Sequence, residues 1–145
     1  MNYKISEDKK TLTITVDIAE RMMLKRMDED EFKTFTTAYI VAAMWSTNDD
    51  SGEPLDKGYY ITDLATETVK TIDEDCAKFL EENYELVKDD ISRAGHDFWL
   101  TRKKHGAGFW DGDWPEPAGT ILTEASKKFK ELDLYVGDDN KLYFQ

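Results

Sequence analysis

The chain has 145 residues, of which 40% are hydrophobic and 34% are charged, and its formal net charge is −12 at pH 7. This hydrophobic content excludes a disordered chain, and the length suits one domain with its own core. The charge opposes contact with nucleic-acid backbones and anionic lipid, so it favours a protein partner with a basic surface. Simple solubility also explains such a charge.

Cys76 is the single cysteine, which excludes an internal disulfide and fits a reducing compartment. No segment reaches the roughly 18 apolar residues that a membrane helix needs. The N-terminal stretch, residues 1–10, lacks the apolar core of a secretory signal. We therefore expect a cytoplasmic protein that does not contact a membrane.

The first part of the chain predicts an N-terminal β-hairpin followed by a short helix. Apolar residues alternate with threonine in the second of two strands, at 3–6 and 11–16, and residues 19–27 have helical character. We assign residues 1–29 to an extension of a single α+β domain whose core spans residues 30–145.

Two long helices are predicted in the first half of this core. Residues 30–46 follow an acidic run, and their aromatic and alanine residues recur at helical spacing. The second helix is predicted from a cap at Asp63 to Asp90, along an apolar stripe that includes Cys76, which we expect to be buried. The loop at 47–57 carries acids without the spacing of a calcium loop, so no metal site is predicted there.

The segment from Gly95 to Trp114 holds three of the four Trp and both His. Its side chains alternate over residues 98–103, which favours a strand, and residues 109–110 resume an apolar pattern. Glycines between the two stretches permit a sharp reversal. We therefore predict a central β-hairpin whose connecting loop, residues 102–107, is basic.

The last part of the chain predicts a helix over residues 122–132, capped by Thr120 or Thr123, and a C-terminal hairpin with strands at 134–136 and 142–144. The predicted fold class is therefore α+β. Its antiparallel sheet is formed by the central and C-terminal hairpins and packs against the two main helices, with the N-terminal hairpin added.

The predicted second helix carries an unusual concentration of acids. Ten acidic and three basic residues lie between positions 63 and 90. Carboxylates that rise along a helix at about 1.5 Å per residue can imitate a line of phosphates, although a solvated helix surface shows the same composition. The candidate binding residues of this acidic face are Glu74, Asp75, Glu81, Glu82, Glu85 and Asp89.

The predicted central hairpin offers an alternative site. Its candidate residues are His96, Asp97, Trp99, Arg102, His105, Trp110 and Asp111. Imidazole and carboxylate groups together suit a metal or acid–base chemistry, but their spacing matches no known ligand motif, so we predict no metal, cofactor or catalytic residue. Turn-bracing histidines and aspartates give the same pattern. Tryptophans beside bases also suit base stacking, which the surrounding negative charge opposes.

From Phe35 onward the chain carries the segments AAMWS, GEPLD, AGHDFWLTR, HGAGFWD and DLYVGDD in this order. In these segments it resembles a family of small uncharacterised proteins that are common in tailed-phage genomes. Lys103 and Lys104 depart from the Asn-Gly-like turn that is usual in the family. The resemblance implies a phage context and carries over no activity or catalytic residue.

These observations lead us to expect a non-enzymatic phage accessory protein. It would bind a host protein through the acidic face, in the manner of a nucleic-acid mimic or an inhibitor of host defence. The alternatives are a small enzyme or a ligand-binding or metal-binding protein that uses the Gly95–Trp114 segment, and a structural phage component. The sequence leaves the oligomeric state open.

Overall fold

The computed structural model describes residues 28–104 and 106–145, and the N-terminal hairpin and helix predicted before residue 28 lie outside this part. Within it the chain forms four α-helices and one two-stranded antiparallel sheet, which confirms the mixed helix and strand content. The helices are α1 (Glu29–Trp45), α2 (Thr66–Val87), α3 (Ile91–Arg102) and α4 (Ala118–Lys127), and the strands are β1 (Leu134–Val136) and β2 (Leu142–Phe144). Two 3-10 turns, Leu55–Lys57 and Ile61–Asp63, connect α1 to α2.

The start of α1 is fixed by a capping box. The Asp28 carboxylate accepts a hydrogen bond from the Glu31 amide at 2.8 Å, and the Glu31 carboxylate accepts one from the Asp28 amide at 3.2 Å. Two amide groups that the helix leaves without a partner are satisfied in this way. The helix predicted for this region is confirmed within one residue at each end.

The long helix predicted from Asp63 is also present, as α2, but its predicted cap is wrong. The Asp63 carboxylate accepts a hydrogen bond from the Tyr60 amide at 2.7 Å, inside the preceding 3-10 turn. Ala65 takes the cap position without a side-chain bond, and its amide donates to the Leu142 carbonyl at 3.0 Å. A strand from the far end of the sequence therefore holds the residue that precedes this helix.

The predicted central β-hairpin is wrong, because α3 occupies most of its first strand. Asp90 caps this helix and accepts a weak hydrogen bond from the Arg93 amide at 3.4 Å. Five consecutive residues, 98–102, are all buried, so the helix is enclosed on every side near its C-terminus. A helix that is buried all round loses the 3.6-residue apolar period, and its sequence then imitates a strand. No strand is present between residues 106 and 117, which form a loop.

The C-terminal hairpin is confirmed with the predicted bounds, and Leu134 pairs with Phe144 in its register. The helix before it begins four residues earlier than predicted. Pro117 takes the cap position of α4, as its fixed backbone angle permits, and the Glu116 carboxylate accepts hydrogen bonds from the Thr120 amide and hydroxyl at 2.9 Å. Thr120 is therefore inside the helix and does not cap it.

The core is built mainly from α1 and α3, which form the largest contact between described elements. Gly95 permits this close approach, since a Cβ at that position would overlap the Phe35 carbonyl oxygen of α1. An aromatic cluster fills the space towards α2, where the Phe79 and Phe98 rings stack with centroids 4.1 Å apart. Among the described residues, no helix is long and apolar enough to span a membrane.

Candidate functional site

The outer side of α2 carries the predicted acidic face. Glu67, Glu74 and Glu81 are spaced by seven residues, which places them on one side of the helix about 10 Å apart. Glu74 and Glu82 are exposed, and Glu85 is exposed with its carboxylate 2.8 Å from the Lys88 ammonium. A surface pair of this kind contributes little to stability and leaves the carboxylate accessible to a competing cation.

Two predicted members of this face differ from the others. Asp75 is half-buried and turned towards the core, where its Oδ2 accepts a hydrogen bond from Arg102 Nη1 at 2.7 Å. Asp89 is exposed but lies past the end of α2, in the turn before α3. Asp75 therefore has a structural task that the sequence pattern did not indicate.

The first turn of α1 adds carboxylates that the prediction did not include. The Tyr84 hydroxyl, near the C-terminal end of α2, donates to the Glu31 carboxylate, whose oxygens lie 3.0 and 3.1 Å away. Burial, followed by the hydrogen bond to Glu31, raises the pKa of Tyr84. The exposed residues Asp28, Glu29 and Asp30 are thereby held beside the C-terminal half of α2. The acidic run in the sequence is the pattern that could have indicated this.

On α3, the structure brings together two residues of the alternative site. His96 Nδ1 lies 3.1 Å from Asp97 Oδ1, and Trp114 Nε1 donates to Asp97 Oδ2 at 2.7 Å. This distance suits a hydrogen bond between the His96 imidazole and the Asp97 carboxylate, in which Nδ1 donates when it carries the proton. The Trp45 ring stacks on the imidazole with centroids 5.8 Å apart.

His96 lines an open groove between α1 and α3, which we call the α1–α3 groove. The groove has a volume of about 770 Å³. Its lining residues are Lys33, Thr34, Thr37, Ala38, Val41, Asp90, Ser92, Arg93 and His96. The Arg93 guanidinium is already engaged, since it lies 3.1 Å from both the Asp90 and the Asp113 carboxylates.

Arg102 is buried at the end of α3 and connects four parts of the chain. Its guanidinium donates to Asp75, to the Tyr39 hydroxyl at 3.0 Å and to the Lys130 carbonyl at 2.7 Å, and it lies over the Phe129 ring at 5.3 Å. Burial lowers the pKa of Arg102, but the contacts with Tyr39 and Asp75 outweigh this effect and raise it. Arg102 is therefore a charged residue of the core that joins these parts of the chain.

The remaining residues of the alternative site are dispersed. Trp99 is fully buried, and its Nε1 donates to the Ser46 hydroxyl at 2.9 Å. Trp110 is 55% exposed, and Asp111 accepts hydrogen bonds from the Gly108 and Asp113 amides within its own loop. In the described part of the chain Asp111 makes no hydrogen bond with the His96–Asp97 pair. His105 lies outside the described residues.

A metal centre has no support in the described ranges. No group of three or more His, Cys, Asp or Glu side chains within residues 28–104 and 106–145 is placed to hold an ion. Cys76 is fully buried, and burial raises the pKa of its thiol, which removes it as a nucleophile. Among the described residues of the alternative site, the imidazole of His96 is the group that could still take part in chemistry.

Comparison of the chain with protein-family models, with curated proteins and with solved structures finds no match.

Proposed function

We propose that this chain is a non-enzymatic accessory protein that binds a host protein with a basic surface, and that the acidic face of α2 is the contact. The observation that carries the proposal is the row of carboxylates along α2, exposed at Glu67, Glu74, Glu82 and Glu85 and half-buried at Glu81, which the acidic first turn of α1 extends at one end. The resemblance to tailed-phage proteins supports a phage origin and action in the cytoplasm of an infected host.

The geometry suits a partner surface that normally holds nucleic acid. A basic groove of that kind attracts a row of negative charges by the same electrostatic term that attracts phosphates, and the attraction weakens as salt rises. Because exposed ion pairs are individually weak, affinity would come from several carboxylates acting together. The protein would then compete with nucleic acid for its partner.

The test uses two variants with equal changes in net charge. One reverses four acids of α2 (Glu74, Glu81, Glu82 and Glu85) to lysine. The control reverses four exposed acids elsewhere (Glu53, Asp56, Glu124 and Glu131) to lysine. Both variants and the unmodified chain are used to capture partners from host lysate at low and moderate salt, with identification by mass spectrometry.

We expect one dominant basic partner that is retained by the control, released by salt and lost with the α2 variant. The purified partner should bind duplex DNA or RNA, and the unmodified chain should displace it in a mobility-shift assay. Equal loss of the partner from the two variants would show that net charge, and not the acidic face, drives capture, and retention by both would refute the proposal. Self-association of the chain in sizing chromatography, without a partner, would favour a structural phage component instead.

The α1–α3 groove supports a second candidate function, in which the chain binds a small ligand. The observation in its favour is His96, which lines the groove and whose Nδ1 lies 3.1 Å from the Asp97 carboxylate. Titration of the protein with small phosphate and carboxylate compounds, followed through the fluorescence of Trp45 stacked on His96, tests this candidate. A response that His96→Gln abolishes would support it, and no response from any compound would leave the groove as a packing feature.

A further inference from the structure

A second cavity lies on a different side of the molecule, between the loop after α1 and the C-terminal hairpin, and we call it the hairpin cavity. Its volume is about 660 Å³. The loop contributes Asp49, Asp50 and Tyr59 to its lining, and the hairpin contributes Tyr135 and Asp138. Among the residues that the structure describes, the lining combines two tyrosines with three carboxylates and has no lysine, arginine or histidine, which favours a cationic ligand over an anionic one.

Both walls of the hairpin cavity are held in place before any ligand arrives. In the loop, the Asp49 carboxylate accepts hydrogen bonds from the Ser51 amide at 2.9 Å and the Glu53 amide at 3.0 Å, and hydrogen bonding lowers its pKa. In the hairpin, the Tyr135 ring stacks on Tyr143 with centroids 5.8 Å apart. Preorganised walls reduce the entropy that binding must overcome.

Unlike the Asp49 carboxylate, the carboxylates of Asp50 and Asp138 are not engaged by neighbouring groups that the structure describes. Within the described part of the chain, neither carboxylate makes a hydrogen bond or an ion pair. They are not grouped with a third His, Cys, Asp or Glu as a metal ion requires, again among the described residues. Separated carboxylates beside aromatic rings suit an extended organic cation, whose alkyl part contacts the rings while its charged end meets a carboxylate.

We propose that the hairpin cavity binds an alkylammonium group, supplied by a lysine side chain of the basic partner or by a free polyamine. The hairpin that forms one wall of the cavity is also joined to the start of α2, because the Thr68 hydroxyl donates to the Leu142 carbonyl at 2.9 Å. Glu67, at the start of the row of carboxylates, also lies close enough to Tyr143 to contribute to its raised pKa. A lysine side chain of the partner as the bound cation rests on the proposed function, whereas the existence of the cation site does not.

The experiment uses the purified 145-residue chain and no partner. Amide resonances are followed by NMR during titration with Nα-acetyl-lysine methylamide, with spermidine, and with Nα-acetyl-norleucine methylamide, which has the same backbone but no charge. We expect shift changes confined to residues 48–59 and 134–140 with a cationic probe and none with the norleucine compound. Binding of the blocked lysine identifies a partner side chain as the source, and binding of spermidine alone identifies a free polyamine.

Two cavity variants have matched controls. Tyr135→Leu should weaken binding about threefold, the size of an exposed cation–π contact, and Asp138→Asn about fivefold, the size of one close charge pair in water. Tyr60→Leu and Asp56→Asn change exposed residues of the same types outside the cavity and should leave the affinity unchanged. The proposal is overturned if neither cation binds, or if the shifts spread along α2 and Asp138→Asn has no effect.

These outcomes are separable from those of the charge-reversal experiment. Partner capture that survives Asp138→Asn, together with no response to either cation, removes the cavity site and leaves the proposed function in place. Cation binding by a chain that captures no partner removes the proposed function and retains the cavity as a polyamine site.

Discussion

The replacement of Gly95 by alanine sets two physical effects against each other. Alanine is favoured over glycine within a helix by about 1 kcal/mol, so α3 considered alone would gain stability. In the folded protein, however, the new Cβ would overlap the Phe35 carbonyl oxygen and lie 3.0 Å from the carbonyl carbon and 3.1 Å from the Ala38 Cβ. Backbone atoms cannot rotate away, so α1 and α3 would have to separate by roughly 1 Å to restore ordinary contact.

Such a separation would disturb the largest contact in the core, in which Phe35 and Tyr39 of α1 pack on Phe98 of α3. Overpacking of a core costs typically 1–3 kcal/mol, and here the displaced atoms belong to the backbone. Taking the upper end of this range, about 3 kcal/mol, and subtracting the helical gain of about 1 kcal/mol, we expect Gly95→Ala to lower the free energy of unfolding by about 2 kcal/mol. Urea unfolding followed by circular dichroism measures this difference.

Gly119→Ala is the matched control, because Gly119 also lies in a helix, α4. Its Cβ would meet the Phe109 and Trp114 carbonyl oxygens at 3.1 and 3.2 Å, which small shifts of a few tenths of an ångström can relieve. We expect a change of less than about 1 kcal/mol, since the helical gain offsets the crowding. If Gly95→Ala were as stable as the unmodified chain, the close approach of α1 and α3 described above would be incorrect.

Three further predictions concern other buried or hydrogen-bonded groups. Arg102→Met should lower the free energy of unfolding, measured by urea denaturation, by roughly 2–3 kcal/mol, because it leaves the half-buried Asp75 carboxylate without its cation. The additional change Asp75→Leu in the same chain should restore part of this loss. Cys76 should react with a thiol reagent only after denaturation, because it is fully buried and its thiol pKa is raised; a fast reaction in the native protein would contradict the packing of α2. The hydrogen bond to Asp139, with burial, raises the pKa of Tyr143 to about 12 from 10.0, so its contribution to stability is complete below pH 10 and is lost as the pH rises through 12. The difference in melting temperature between the unmodified chain and Tyr143→Phe should shrink over this pH range.

The sequence predicted those elements whose pattern depends on neighbours along the chain. α1 and α2 each present one apolar side and one polar side, so their periodicity was visible, and the turn of the C-terminal hairpin carries residues that favour a tight reversal. The bounds of these elements were close to those observed. The caps were less predictable, because the Ala65 amide before α2 and the Thr68 hydroxyl inside it donate to the Leu142 carbonyl, more than 70 residues away along the chain.

The helix α3 could not be predicted by periodicity, for a reason that its packing explains. Residues on all sides of its last turns are buried, so no solvent side exists to generate a period of 3.6. Its capping residue, Asp90, was present in the sequence but was assigned to the end of the preceding helix. For two adjacent helices separated by a short turn, the sequence therefore predicted the first correctly as a helix and the second wrongly as a strand.

The unusual residues of the Gly95–Trp114 segment are largely explained by this enclosure. A helix inserted among other elements must satisfy every polar group that it buries, and α3 does so with bonds from Asp97 to Trp114, from Trp99 to Ser46 and from Thr101 to the Phe109 amide. Residues that combine a large apolar body with one polar atom are suited to that task. The high density of tryptophan, histidine and aspartate in this segment thus indicated a buried helix at the centre of the core at least as much as it indicated a binding site.

The placement of positive charge also strengthens the case for a cationic partner. The predicted basic loop begins with Arg102, which is bound to Asp75 in the core, and continues with Lys103 bound to Asp133 and Lys104 at 3.7 Å from Glu131. Because carboxylates of the chain already neutralise these bases, the loop offers little attraction to phosphate. The carboxylates of α2 and of the first turn of α1 outnumber the bases beside them, so the outward field of this surface is negative. A partner attracted by that field must carry the opposite charge, and the salt dependence of its capture would measure how many carboxylates take part.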